Sequence, residues 1–144
     1  LIVRLKSHTD DALPSGNGVS ALNLLKLHSL LGDEGYFDKA KSTIGLIEND
    51  PSLHPNAAGM MLEAIDSFTR GLKTVVVVDD VDAYFTLSSS YSPNALVLNR
   101  SSLKQDSIGI GVSKNQRGFY LCEGQVCKAP TEDIKSAQRF VAKT

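Results

Sequence analysis

The pattern of apolar and polar positions divides the chain into a helical first half and a second half in which strands alternate with helices. Apolar residues recur at helical spacing in residues 19–31, 34–47 and 55–69, with glycine or proline near the ends of these stretches. The first stretch is apolar around much of its circumference, which is typical of a helix that packs on two sides.

The character of the chain changes at Lys73. Residues 74–78 form an unbroken β-branched run, which predicts a strand buried on both faces of a parallel sheet. A short helical crossover is predicted at residues 82–90, strands at 95–98 and 108–112, and a hairpin formed by 118–122 and 125–128. A short strand or extended lead-in is predicted at residues 1–5. The sequence before residue 134 supplies a cap residue and two first-turn carboxylates for a last helix.

These elements predict an α+β (mixed) fold with two parts. Residues 1–71 form a helical body, and residues 72–144 form a small α/β module with a short mixed sheet. The boundary between them is expected at residues 70–73, where the helical pattern gives way to the β-branched run.

The composition of the chain bears on which classes of partner it can bind. The chain has 144 residues, a net charge of −1 and 42% hydrophobic residues, and this charge balance gives no support for binding to nucleic acid or to an anionic membrane. No apolar run approaches the roughly 18 residues that a membrane-spanning helix needs. Because the chain begins with Leu1 rather than Met, we expect a truncated or processed piece. The first residues do not resemble a signal peptide. The location is left open, with the cytoplasm favoured.

The two cysteines, Cys122 and Cys127, are separated by four residues. This spacing differs from the C-x-x-C of redox motifs and zinc knuckles, and the three histidines lie far upstream. Two alternatives remain, which are reduced thiols on neighbouring strands and a local disulfide. We predict no metal and no cofactor.

The strongest candidate site is the loop at residues 10–18, which combines Asp10, Asp11, Ser15 and Asn17 with two glycines ahead of an apolar helix. Backbone amides at a helix start can hold a polar ligand oxygen, and a nearby carboxylate can act as a general acid or base. The simpler interpretation, which we favour, is that Ser15 or Asn17 caps the helix and the glycines permit the turn.

A second acidic group follows the β-branched run. Asp79, Asp80 and Asp82 carry oxygen ligands for a divalent cation, but they lack the order of a calcium-binding loop. A solvated strand end is the favoured interpretation.

The chain resembles a known family in several motifs. Residues 11–25, DALPSGNGVSALNLL, are similar to the family segment DGA-x-PSGNS-x-A-x-NLLRL. Residues 74–78 resemble its VVIVG strand, residues 92–95 its PNA turn, and residues 119–130 its AYVC-x4-C-x-x-P segment. The order and spacing agree over essentially the whole chain. The family is the spermatogenesis-associated protein twenty group of long thioredoxin-domain-containing proteins.

The resemblance implies an architecture. Members carry an N-terminal thioredoxin-like domain and an α/α toroid similar to six-hairpin glycosidases and N-acylglucosamine epimerases. Residues 1–71 would then be the C-terminal toroid helices, and the partners would be the rest of the toroid and the thioredoxin-like domain. Cys122 and Cys127 match the family's C-terminal pair rather than its redox motif. Gly18 departs from the family, which has serine there.

Two functions follow from this resemblance, and whether the protein is an enzyme is left open. The first is a structural or binding region without independent catalysis, in a protein of unestablished reaction. The alternative is part of a carbohydrate-active enzyme, a sugar hydrolase or epimerase. In that alternative Asp11 is the acid/base, and Asp10, Ser15 and Asn17 bind the hydroxyls of a sugar ligand.

Overall fold

In a computed structural model, the described residues are 9–47, 54–103, 112 and 116–142. They divide into two compact units. The first contains residues up to 28 together with 33–70, and the second contains residues 29–32 together with those from 71 onward. Each unit has its own buried apolar side chains.

The first unit is helical. Its described elements are α1 (Gly16–Leu31), α2 (Glu34–Ile44), a 3₁₀ turn (Pro55–Ala57) and α3 (Gly59–Arg70). Residues 29–31 of α1 group with the second unit. Asp33 caps α2, because its side chain accepts the backbone N–H of Gly35 at 2.8 Å.

An aromatic row joins the three helices of the first unit. The ring of Phe37 lies 5.1 Å from that of His28 and 5.2 Å from that of Phe68, and the two phenylalanine rings are stacked. The interior also contains larger buried side chains, such as Met61, and small ones on each of the three helices; the small ones are Ala21, Ala40 and Ala64.

The second unit is built on a sheet whose described strands are β1 (Lys73–Val78), β2 (Ala95–Asn99), β3 (Gly118–Glu123) and β4 (Val126–Cys127). The strand order is β2-β1-β3-β4. β1 runs parallel to β2, with Val75 beside Val97, and antiparallel to β3, with Val75 beside Leu121. The sheet is therefore mixed.

β1 is buried on both faces, as its sequence predicts, because successive side chains of a strand point to opposite sides of the sheet. Val75 and Val77 pack on the face that carries α4 (Val81–Ser88) and α5 (Ile134–Ala142). Val76 and Val78 pack on the other face with Tyr120 and Cys122.

The α+β class is confirmed by five helices and a four-stranded mixed sheet within the described ranges. The predicted crossover is a helix, α4, and the predicted hairpin is present as β3 and β4. Of the strand predicted at residues 108–112, only Val112 is described. The extended segment predicted at residues 1–5 lies outside the described residues.

Several predicted boundaries were wrong, each for a local reason. α1 begins at Gly16 rather than at 19 because Ser15 occupies the cap position. α2 ends at Ile44 rather than at 47, since the backbone N–H groups of residues 46 and 47 donate to carbonyls three residues back, as in a turn. Pro55 lies in a 3₁₀ turn rather than in the first turn of α3.

The start of α5 also differs from the prediction. Asp133 is itself the cap, accepting the backbone N–H groups of Lys135 at 3.0 Å and Ser136 at 3.1 Å. Thr131, which belongs to the segment predicted to supply the cap, forms an isolated bridge with Phe119 of β3. The first turn of α5 accordingly contains no acidic residue.

Candidate functional site

Asp10 is the centre of the predicted loop site and lies in the first unit. Its Oδ1 accepts the backbone N–H of Ser15 at 2.7 Å, and its Oδ2 accepts that of Met60 at 2.7 Å. The backbone N–H of Asp10 donates to the carbonyl of Ala57 at 2.6 Å. One carboxylate therefore satisfies an amide at the start of α1 and another at the start of α3.

Ser15 is the cap residue of α1. Its Oγ accepts the backbone N–H of Gly18 at 3.2 Å, and its carbonyl accepts that of Val19 at 3.0 Å. The side chain is only 3% exposed. Of the two cap residues proposed from the sequence, Ser15 therefore holds the position, and its hydroxyl is engaged inside the unit.

Gly18 lies where α1 approaches α3. A Cβ at this position would be 2.8 Å from Cγ of Met60, 2.8 Å from Oγ of Ser15 and 2.9 Å from the backbone nitrogen of Met61. Real Cβ atoms essentially never come this close to other atoms. The close approach accounts for glycine at a position where the resembled family has serine.

The other two candidate residues of the loop differ in their surroundings. Asp11 is exposed, and its backbone N–H donates to the carbonyl of Leu13 at 3.1 Å. Asn17 is half-buried in the first turn of α1. The structure thus brings Asp10 and Ser15 together and leaves the Asp11 side chain facing solvent. The roles of these four residues toward a ligand stay predictions.

The electrostatics of Asp10 follow from its contacts. The backbone N–H of Met60, followed by that of Ser15, holds the pKa of Asp10 below its ordinary value of 3.8, and partial burial opposes this shift. A general acid at neutral pH needs the opposite shift, toward the working pH. The Asp10 carboxylate is therefore suited to a permanently charged cap rather than to proton donation.

The acidic residues after β1 do not gather around a common point. Asp80 caps α4, because its Oδ1 accepts the backbone N–H of Ala83 at 2.9 Å. Its Oδ2 lies 3.4 Å from Nη2 of Arg117. Asp79 is exposed and adopts a left-handed backbone conformation, with φ of 56°. In the described ranges, no three His, Cys, Asp or Glu side chains lie close enough together to hold a metal ion.

The two cysteines form a disulfide between β3 and β4, which decides between the alternatives left open by their spacing. Cys122 and Cys127 are directly paired across these strands, with their Cα atoms 4.0 Å apart. Cys122 is completely buried, on the sheet face that also holds Val76 and Tyr120. The bond thus fastens the short edge strand β4 to the interior of the second unit.

A polar groove that sequence reasoning missed lies in the second unit. Its volume is about 350 Å³, and its charged side chains come from β1, β3, the segment after β4, and α5; they are Lys73, Glu123, Lys128 and Arg139. The β1–β3 register places Lys73 opposite Glu123 in this groove. That register is not readable from the sequence.

None of the helices in the described part of the chain combines the length and apolar character needed to cross a bilayer.

No protein-family model matches the chain, and no solved structure matches it. Among curated proteins, it is similar to spermatogenesis-associated protein 20 of Homo sapiens, with 30% identity over 147 residues. That alignment covers 92% of this chain and 19% of the human protein. The proteins of the same name from Rattus norvegicus and Mus musculus are each 29% identical over the same share. The chain thus spans about a fifth of the length of these relatives.

The double cap predicts a pH-dependent loss of stability in Asp10→Asn. We expect its free energy of unfolding at pH 7 to fall by about 1–2 kcal/mol, because a charged acceptor of two amide bonds is lost at a partly exposed site. Since the pKa of Asp10 is lowered on folding, the contribution of this carboxylate to stability is fully present above pH 3.8. It disappears as the pH falls through the pKa of the folded state. Urea unfolding at several pH values measures the difference.

The matched control is Asp11→Asn, which removes the neighbouring exposed carboxylate. Its stability should stay within about 0.5 kcal/mol of the parent at every pH. Equal losses in the two variants would contradict the assignment of Asp10 as a double cap.

The disulfide predicts that neither cysteine of the folded, unreduced chain reacts with iodoacetamide, whereas reduction under denaturing conditions gives two adducts by mass spectrometry. Reduction should lower the free energy of unfolding by about 2 kcal/mol, because the bond closes a short loop. The control is the Cys122→Ala/Cys127→Ala variant, whose stability should not respond to reductant. Two adducts without reductant would contradict the pairing.

Proposed function

Because this chain belongs to the spermatogenesis-associated protein 20 family over 92% of its length, we propose that it is a structural and binding segment without independent catalysis. The family relationship supplies the larger context, since the match occupies only 19% of the human relative. The contacts of the loop at residues 10–18 are the reason to propose a structural role for this loop.

The observation that carries this proposal is the engagement of Asp10. Both of its oxygens accept backbone amides, and the Ser15 hydroxyl is buried in the same arrangement. A substrate hydroxyl would have to share these oxygens with the amides at the starts of α1 and α3. Because both oxygens already stabilise helix starts, a structural role for these groups is favoured.

A second observation concerns what the segment binds. α1 carries apolar side chains on its buried side and also on its exposed side, where Val19, Leu27 and Leu31 are 37–38% exposed. Leu46 and Leu62 are exposed by 59% and 44%. We assign this exposed apolar surface to contact with other protein. The partner we propose is the rest of a family-type protein, a toroid with its thioredoxin-like domain.

The alternative is a carbohydrate-active site, and the exposure of Asp11 is the observation in its favour. An exposed carboxylate beside a helix start can approach a sugar hydroxyl. In this alternative Asp11 is the acid/base and Asn17 orients the ligand, while Asp10 and Ser15 shape the loop.

The two proposals are separated with a chimera in which this chain replaces the matched segment of the human relative. The melting temperature of the chimera is measured by scanning calorimetry with and without glucose or N-acetylglucosamine. We expect the two values to be the same. Val19→Glu with Leu27→Glu should lower that temperature, because a charge is placed in an apolar contact.

Ser42→Glu, an exposed change on α2, is the matched control and should leave the melting temperature unchanged. A sugar-dependent rise in melting temperature that Asp11→Asn and Asn17→Ala both remove would contradict the structural proposal and support the carbohydrate alternative. No effect of Val19→Glu with Leu27→Glu would contradict the proposed docking through α1.

A further inference from the structure

The groove in the second unit has an aromatic residue between its cationic groups. The Nζ atoms of Lys73 and Lys128 lie 5.6 Å and 5.7 Å from the centroid of the Phe140 ring. Phe140 is 9% exposed and belongs to the core that α5 forms with β1 and β3. The ring of one buried side chain thus attracts the ammonium groups of both lysines.

The charges of the groove do not balance. Lys73, Lys128 and Arg139 are opposed within it by the single carboxylate of Glu123. The positive charge of Arg139 is compensated by Asp133, because Oδ2 of Asp133 lies 3.6 Å from Nη2 of Arg139. Among the ion pairs that the described residues form, none includes either lysine. Two ammonium groups therefore lie near one ring, and neither forms an ion pair with a carboxylate of the described residues.

We propose that this groove binds the phosphate group of a small phosphomonoester. A phosphate bound in the groove would accept a charge-assisted hydrogen bond from each of the two lysines. A phosphomonoester carries about −1.5 to −2 charge at pH 7, which matches two ammonium groups. A carboxylate would neutralise only one of them.

The dimensions and lining of the groove favour a small molecule over an acidic peptide. Its volume of about 350 Å³ lies at the lower end of the range of small-molecule sites. Leu121 and Phe140 supply apolar surface for the organic part of the ester, and Glu123 can accept hydrogen bonds from its hydroxyl groups. All of these side chains belong to one unit, so the site is complete within it.

The test uses the full chain and phenyl phosphate as the probe, with binding followed through amide chemical shifts in ¹H–¹⁵N spectra at constant ionic strength. We expect saturable shifts at Lys73, Lys128 and Phe140. Lys128→Gln should weaken binding about tenfold, because one charge-assisted contact is lost. Lys128 is exposed, so the variant should fold as the parent does. Lys73→Gln combined with it should abolish saturation.

The matched control is Lys135→Gln, an exposed lysine of α5 outside the groove, which should leave the dissociation constant unchanged. Benzoate and inorganic phosphate should both bind more weakly than phenyl phosphate. The proposal would be overturned by shifts that do not saturate or by an equal loss in Lys135→Gln. Benzoate, inorganic phosphate or a glutamate-rich peptide binding as tightly as phenyl phosphate would also overturn it.

Discussion

The Asp10 carboxylate accepts one amide five residues ahead in the chain and another 50 residues ahead, at Ser15 and Met60. Helix starts leave backbone N–H groups without partners, and here one ionised side chain satisfies such groups at two helices. The remaining features of the loop fit this arrangement. Ser15 is buried as the cap of α1, and Gly18 allows α1 to lie against the start of α3.

The second unit depends on β1 in a comparable way. Its valines are buried on both faces of the sheet, between the helices α4 and α5 on one side and the Tyr120–Cys122 face on the other. The disulfide to Cys127 holds β4, the shortest described strand, against β3. In the same unit, the ammonium groups of Lys73 and Lys128 both lie near the ring of Phe140.

Sequence reasoning succeeded where local pattern decides the structure. Helical periodicity located α1 to α3 to within a few residues, and the β-branched run identified β1. Prediction from the sequence failed where contacts between segments far apart in the chain decide the structure. The partner of Asp10 at Met60 is invisible to any motif, and so is the pairing of Lys73 with Glu123. For the loop at residues 10–18, the sequence favours a helix cap over ligand chemistry, and Ser15 is that cap. The sequence does not show that Asp10 accepts amides at two helix starts, because one of them lies 50 residues away.

Amide hydrogen exchange at Ser15 and Met60 tests most directly whether the Asp10 carboxylate is a structural cap. Amides in the first turn of a helix ordinarily exchange readily, since they lack partners within the helix. We predict that both amides are protected in the parent chain, that both lose protection in Asp10→Ala, and that both keep it in Asp11→Ala. Rapid exchange at both positions in the parent chain would contradict the account.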